Sequence, residues 1–186
     1  MASNSNNAIA KNWNILYAYA YQETIPATSG TYNCSGGGTN PEDTTLIVNT
    51  SRYITLNVKQ GEQINIALSA DTNNTPIKIV SGAWDTTIIA NAWEYYNFYV
   101  AANTLTIYGN VSKFNCSNND SNIIGLDASH NTSLTYLYCD DNSLTSLNVS
   151  GCTSLEELFC GYNNLTTLNI SSCTALKSLH CTNNSL

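Results

Sequence analysis

Four cysteines recur at nearly even spacing in the second half of the chain. They are Cys116, Cys139, Cys160 and Cys181, separated by 23, 21 and 21 residues. Metal coordination needs ligands that converge on one point, and no C-x-x-C or histidine pair accompanies these cysteines. On stacked strands their side chains would run in parallel about 4.8 Å apart, whereas a disulfide needs opposed Cβ atoms about 3.8 Å apart. We therefore expect buried thiols, with no metal, cofactor or disulfide.

Two histidines and two acidic pairs are the other candidates for catalysis. Neither His130 nor His180 is accompanied by a Ser or Cys nucleophile in a recognisable motif. The pairs Asp140-Asp141 and Glu156-Glu157 contain the carboxylates that glycoside hydrolysis uses. Acidic pairs on a solvated face usually have no catalytic role, and we predict that the protein is not an enzyme.

The cysteine spacing belongs to an internal repeat. Residues 134–144, 155–165 and 176–186 share the pattern L-x-x-L-x-C-x-x-N-x-L, a leucine-rich-repeat pattern with Cys in the third apolar position. Residues 111–119 fit the same pattern with Val and Phe in place of Leu. The pattern predicts a short solenoid of parallel strands over residues 111–186, with three full repeats and a truncated fourth.

Each repeated position in such a solenoid forms a column. Leu137, Leu158 and Leu179 are predicted to point inward beside the cysteine column, and Cys152 and Cys173 to form a second thiol column at the back. An amide ladder is predicted for Asn119, Asn142, Asn163 and Asn184. We expect its amides to bond backbone groups where each strand turns away, and also to bond one another.

The side chains between these columns are predicted to point outward, because neighbouring residues of a strand alternate between its faces. The candidate contact residues on this concave strand face are Tyr136, Tyr138, Asp140, Glu157, Phe159 and His180. Exposed aromatic residues are favoured in recognition surfaces. Aromatic residues on a sheet surface also pair laterally with no ligand involved. Both interpretations remain open from the sequence.

The first 110 residues have no such repeat. Residues 1–50 are predicted to contain an N-terminal arm, a strand over 13–21 and a Gly-rich linker. Residues 51–110 alternate apolar and polar side chains, which predicts four to six short strands in a β-rich cap domain. The predicted fold class is mainly β, with a small β-sandwich or β-cap followed by the leucine-rich-repeat solenoid and little helix.

Two of these strands are predicted to form a hairpin. Residues 53–59 and 63–70 both alternate and are separated by a turn at Gln60-Gly61. The residues predicted to point inward are Ile54, Leu56, Val58, Ile64, Ile66, Leu68 and Ala70.

Charge is sparse and acidic. Only 10% of the residues are charged, and the net charge is -7 with six basic residues in total. Since those six are scattered, no basic stripe exists for nucleic acid and no polybasic patch for an anionic membrane. The N-terminus lacks the pattern of a signal peptide, and no apolar run approaches the length of a membrane span. We expect no nucleic-acid partner and no membrane insertion.

Residues 105–186 resemble the internalin-like proteins of bacterial surfaces, in particular the cysteine-containing subgroup with 21-residue repeats. The match extends through residues 144–150, where Asn148 stands in place of the subgroup's Asp. Residues 53–119 also look like the β-rich segment that precedes such repeats in surface proteins of gut bacteria. The resemblance implies a ligand-binding or adhesive role for the concave strand face.

These observations predict a non-enzymatic structural and recognition protein. We expect a component of a fibre-like or virion appendage assembly, whose leucine-rich-repeat face contacts protein or glycan on a cell surface. Self-association or neighbouring subunits are expected at the N-terminal arm and at the open repeat end near Leu186. The expected location is extracellular, in a virion or on a cell surface. The alternative is a fragment of a secreted bacterial cell-surface adhesin of internalin type.

Overall fold

The structure is a computed structural model, and it describes residues 46–186. These residues belong to one compact unit that contains twelve strands and no helix. The predicted strand over 13–21 and the Gly-rich linker lie outside the described residues. The prediction of a mainly β fold with a parallel solenoid is confirmed, and the solenoid has about three turns.

The strands form two sheets of six. In chain order they are β1 (Tyr53–Val58), β2 (Gln63–Ala70), β3 (Thr75–Ser81), β4 (Trp84–Ala90), β5 (Glu94–Tyr99), β6 (Thr104–Tyr108), β7 (Val111–Asn115), β8 (Ile123–Asp127), β9 (Tyr136–Tyr138), β10 (Ser146–Asn148), β11 (Glu157–Phe159) and β12 (Ser178–His180). Sheet A has the order β10-β8-β1-β6-β3-β4. Sheet B has the order β12-β11-β9-β7-β2-β5. The apolar residues of both sheets meet in one continuous core.

The predicted hairpin of β1 with β2 is wrong. β1 pairs with β6 and β8 in sheet A, whereas β2 pairs with β5 and β7 in sheet B. The chain does turn at Gly61, which has a φ of 85°, but the turn carries it from one sheet to the other. The Lys59 and Gly61 amides donate to the carbonyls of Asn122 and Val100 rather than continuing a β1–β2 ladder.

The predicted inward residues of these two strands are nevertheless all buried. The alternation of apolar and polar residues predicts which face of a strand is buried. It is compatible both with two strands that pair side by side in one sheet and with two strands that face each other from opposite sheets. The pattern of β1 and β2 therefore identified the core but could not identify the strand partners.

The first repeat joins the two halves of the unit. In sheet B, Phe114 of β7 lies opposite Leu68 of antiparallel β2 and beside Leu137 of parallel β9. In sheet A, Leu126 of β8 lies opposite Leu56 of antiparallel β1 and beside parallel β10. Both sheets thus continue from the β-rich segment into the solenoid. The domain boundary after residue 110 stays a prediction.

The register of the solenoid places the repeats side by side. Leu137, Leu158 and Leu179 are direct partners across β9, β11 and β12, so the predicted leucine column is confirmed. The first two are fully buried, whereas Leu179 is 38% exposed because β12 is the edge strand of sheet B.

Candidate functional site

The cysteines form part of the core, as predicted. Cys116, Cys139, Cys152, Cys160 and Cys173 are buried, and none of the cysteines in residues 46–186 forms a disulfide. The Cys139 thiol donates to the Phe159 carbonyl at 3.4 Å, so it bonds the backbone of the next turn. Burial, followed by the proximity of the Cys181 thiol and of Asp140, raises the pKa of Cys160 to about 12. Burial also raises the pKa of the other four buried thiols, which favours their protonated form at neutral pH and lowers their reactivity.

Thiol labelling should separate Cys181 from the buried cysteines. In a Cys34→Ser background at pH 8, we expect a thiol-reactive disulfide reagent to modify Cys181 first, because its side chain is only partly buried. The other five should react only as fast as the chain opens, since their thiols are both buried and protonated. All six should react at once in guanidinium chloride. Rapid labelling of two or more cysteines in the native protein would contradict the burial of the column.

The asparagine ladder bonds the backbone of two successive turns. Asn163 Nδ2 donates to the carbonyls of Cys139 and Gly161, both at 2.9 Å, and to that of Cys160 at 3.2 Å. Its Oδ1 accepts from the Leu144 amide at 2.9 Å. The backbone role is confirmed. The predicted bonds between ladder amides are absent from residues 46–186, where the Nδ2 group of each ladder asparagine donates to backbone carbonyls instead.

The Oδ1 atom of Asn142 lacks the bond that its counterparts make. Asn163 Oδ1 accepts from the Leu144 amide, and Asn184 Oδ1 accepts from the Leu165 amide. In both cases the donor lies two residues after the preceding asparagine of the ladder. The insertion of Asp120 and Ser121 lies at the corresponding place before Asn142. Asn142 Oδ1 is buried and accepts no hydrogen bond from residues 46–186.

Three predicted contact residues form an aromatic row on the outer face of sheet B. Tyr138, Phe159 and His180 are direct register partners on β9, β11 and β12. The Tyr138 and Phe159 rings meet edge to face with centroids 4.9 Å apart, and Phe159 stacks on His180 at 4.3 Å with the planes 14° apart. The lateral pairing expected for sheet aromatics is therefore present. This packing also holds the partly exposed Tyr138 and Phe159 rings and the exposed His180 ring in fixed positions, as a contact surface requires.

The neighbouring row holds Tyr136 and Glu157 beside Lys113. The Lys113 ammonium lies 4.7 Å from the centre of the Tyr136 ring, a cation–π geometry. Glu157 accepts a hydrogen bond of 2.8 Å from the Tyr138 hydroxyl. Burial, together with the bond to Glu157 and its charge, raises the pKa of Tyr138 to about 12, so the phenol remains a donor at neutral pH.

Asp140 is bonded mainly to the scaffold. Its Oδ1 accepts from the Gly161 amide at 3.0 Å, and its own amide donates to the Ser117 hydroxyl at 3.2 Å. Burial raises the pKa of the Asp140 carboxyl although the bond from Gly161 opposes that rise. Asp140, Phe159 and His180 line a shallow groove of about 340 Å³.

Tyr162 lines the same groove and was not predicted from the sequence. It has a φ of 51°, and the equivalent turn residues Asn118, Asp141 and Asn183 have φ values of 59°, 52° and 56°. Asn and Asp tolerate this left-handed conformation, whereas a bulky residue there is strained. The available signal was a Tyr at a turn position that the other repeats fill with Asn or Asp.

A second depression of about 590 Å³, here called the trough, lies on the other side of the aromatic row. The residues that line the trough include three aromatic residues, Trp93, Tyr136 and Tyr138, together with Ser69 and Lys113. The Trp93 ring stands at 87° to the Tyr95 ring, with centroids 6.5 Å apart. Trp93 carried no contact signal in the sequence because only the pairing of β2 with β5 brings it to this face.

Within residues 46–186, no three His, Cys, Asp or Glu side chains come together as metal ligands. The same part of the chain has no helix that could cross a bilayer. Comparisons of the chain with protein-family models, with curated proteins and with solved structures find no match.

Proposed function

We propose that this chain is a non-enzymatic recognition protein that contacts protein or glycan on a cell surface through the outer face of sheet B. The observation that carries the proposal is the aromatic row. Tyr138 and Phe159 are partly exposed and His180 is exposed. Their ring centroids are 4.3 to 4.9 Å apart, and the Tyr138 and Phe159 strands carry buried leucines on their other face. Aromatic side chains that are already ordered lose little entropy on binding and are frequent energetic centres of interfaces.

The positions of the reactive side chains support recognition over catalysis. Five thiols are in the core. His130 stacks on Tyr53 at 4.3 Å, away from the aromatic row. Glu157 and Asp140 are each bonded to neighbouring groups of the scaffold. His130 Nδ1 also lies 3.1 Å from the Ser129 hydroxyl, but this pair follows β8 of sheet A and lies outside the aromatic row.

Binding to immobilised glycans and glycoproteins tests the proposal. We expect the purified full chain to bind members of an array of mucins and of mammalian and bacterial glycans. Phe159→Ala and Tyr138→Ala should each weaken that binding by about tenfold or more, as truncation of a central aromatic does. Tyr108→Ala is the matched control, because Tyr108 pairs with Tyr53 on sheet A. A chain that binds no probe, or variants that bind like the wild type, would contradict the proposal.

A fibre-like or virion appendage assembly with an extracellular location is the wider context that we propose for this recognition. It is favoured by the edge strands β4 and β5, each of which pairs with a single neighbour among the described strands. Edge strands offer unpaired backbone groups to another chain. The alternative is a fragment of a secreted bacterial cell-surface adhesin of internalin type.

Light scattering after size-exclusion chromatography distinguishes the two contexts. An assembly component should be oligomeric as the full chain and should become monomeric when residues 1–12 are deleted. An adhesin fragment should be monomeric in both forms. Two monomers would therefore contradict the proposed assembly while leaving the recognition face untouched.

A further inference from the structure

We propose that the trough binds a carboxylate-bearing sugar, such as the uronate or sialate unit of an acidic oligosaccharide. This inference rests on the proposed recognition function and gives it a ligand class. It assigns the carboxylate to Lys113 and the sugar ring to Trp93, both of which line the trough.

The charges of the two depressions differ. Lys113 is the one charged residue among those that line the trough, whereas Asp140 and Asp141 line the groove beyond the aromatic row. Among the described residues, Arg52, Lys78 and Lys177 form ion pairs with carboxylates, whereas Lys113 and Lys59, which donates to the Ser121 hydroxyl, form none. The Glu157 carboxylate next to Tyr136 is bonded to the Tyr138 hydroxyl, so Lys113 is the unpaired charge that faces the trough, and an anionic ligand is favoured there over the groove lined by Asp140 and Asp141.

The Lys113 ammonium is also held in place. It lies 4.7 Å from the centre of the Tyr136 ring, and the side chain is exposed. The attraction between the cation and the ring keeps the ammonium near the trough wall without neutralising its charge. A carboxylate arriving there would gain a charge-assisted hydrogen bond at a small entropic cost.

The uncharged groups of the trough suit a sugar ring. Trp93 offers a large aromatic surface, and its edge-on packing against Tyr95 fixes its orientation. The C–H groups on one side of a pyranose carry partial positive charge and stack against the negative face of an aromatic ring. Asn91 and Ser69 also line the trough and offer an amide and a hydroxyl to the sugar's hydroxyl groups.

The sheet pairing argues against a peptide ligand. Strands β2 and β7 carry Ser69 and Lys113, and both are interior strands of sheet B. The β7 backbone at Lys113 is paired on both edges, with Ser69 of β2 and with Tyr136 of β9, whereas the ladder of β2 with β5 ends at Leu68. A peptide could not add a strand beside Lys113, and strand addition is the usual mode of peptide capture by a sheet.

Calorimetric titration of the full chain tests the inference. The probes are trigalacturonate and 3′-sialyllactose, with lactose as the neutral sugar and hexaglutamate as the acidic peptide. We expect at least one acidic sugar to bind more tightly than lactose and hexaglutamate, and its binding to weaken between 50 and 500 mM salt. Trp93→Ala and Lys113→Met should each weaken it by about tenfold. Tyr99→Ala should not, because this 71% exposed tyrosine lies on the same face outside the trough.

Several results would overturn the inference. They are no binding of either acidic sugar at 10 mM, equal affinity for lactose, tighter binding of hexaglutamate, or unchanged binding by a folded Lys113→Met variant. Phe159→Ala separates this inference from the proposed function, because Phe159 lies outside the trough. Loss of array binding by Phe159→Ala with no effect of the trough variants would keep the recognition face and reject the sugar site. The opposite pattern would keep the sugar site and reject the aromatic row.

Discussion

Phe114→Ala is expected to lower the free energy of unfolding by about 3–5 kcal/mol. Phe114 is fully buried and is the largest of the completely buried side chains. It lies on β7, between antiparallel β2 and parallel β9, with Leu68 and Leu137 as its register partners. The truncation would leave a cavity beside β7, the strand of sheet B that joins the β-rich segment to the solenoid. We expect little collapse into this cavity, because β2 and β9 would have to move and would lose their hydrogen bonds to β7.

Urea denaturation followed by circular dichroism measures this loss. Phe159→Ala is the matched control, since it removes the same atoms from the outer face of the same sheet, where Phe159 is only partly buried. Its loss should be less than half of that caused by Phe114→Ala. We also expect a single transition for the wild type, because both sheets run through the two segments. Equal losses for the two variants would contradict the assigned orientation of β7 and β11.

The repeated half of the chain was predictable at the level of single residues. The 21-residue period specifies which residues are neighbours, because each repeat stacks on a copy of itself. The leucine column, the buried cysteines and the outward row of Tyr138, Phe159 and His180 follow from that period alone.

The β-rich half was predictable only in part. Alternation within β1 and β2 predicted their buried faces but not their partners. β1 pairs with β6 and β8, and β2 pairs with β5 and β7. The partners Thr55 and Asp127 of β1 and β8 are 127 − 55 = 72 residues apart in the chain. Such partners are selected by the packing of the whole sandwich rather than by a local signal. The trough depends on that packing. Trp93 and Tyr136 line the same depression because β5, β2, β7 and β9 are neighbours in sheet B. No residue spacing in the sequence predicts that strand order.

Asn163→Leu is expected to lower the free energy of unfolding by about 3 kcal/mol or more. Leucine fills a similar volume but bonds none of the backbone groups that Asn163 serves, which are the Leu144 amide and the carbonyls of Cys139, Cys160 and Gly161. Each buried group left without a partner costs about 1–3 kcal/mol. Denaturant titration should show the loss as a lower midpoint with an unchanged slope.

Asn142→Leu provides the control, and it should be the milder substitution. Asn142 donates to three carbonyls as Asn163 does, but its buried Oδ1 accepts no hydrogen bond from the described part of the chain. Leucine there orphans no amide and removes an unsatisfied oxygen. The difference between the two variants therefore measures the bond from the Leu144 amide to Asn163 Oδ1, which the insertion of Asp120 and Ser121 denies to Asn142. Equal losses would mean that this bond contributes nothing, and that the amide ladder stabilises the solenoid only through its donors.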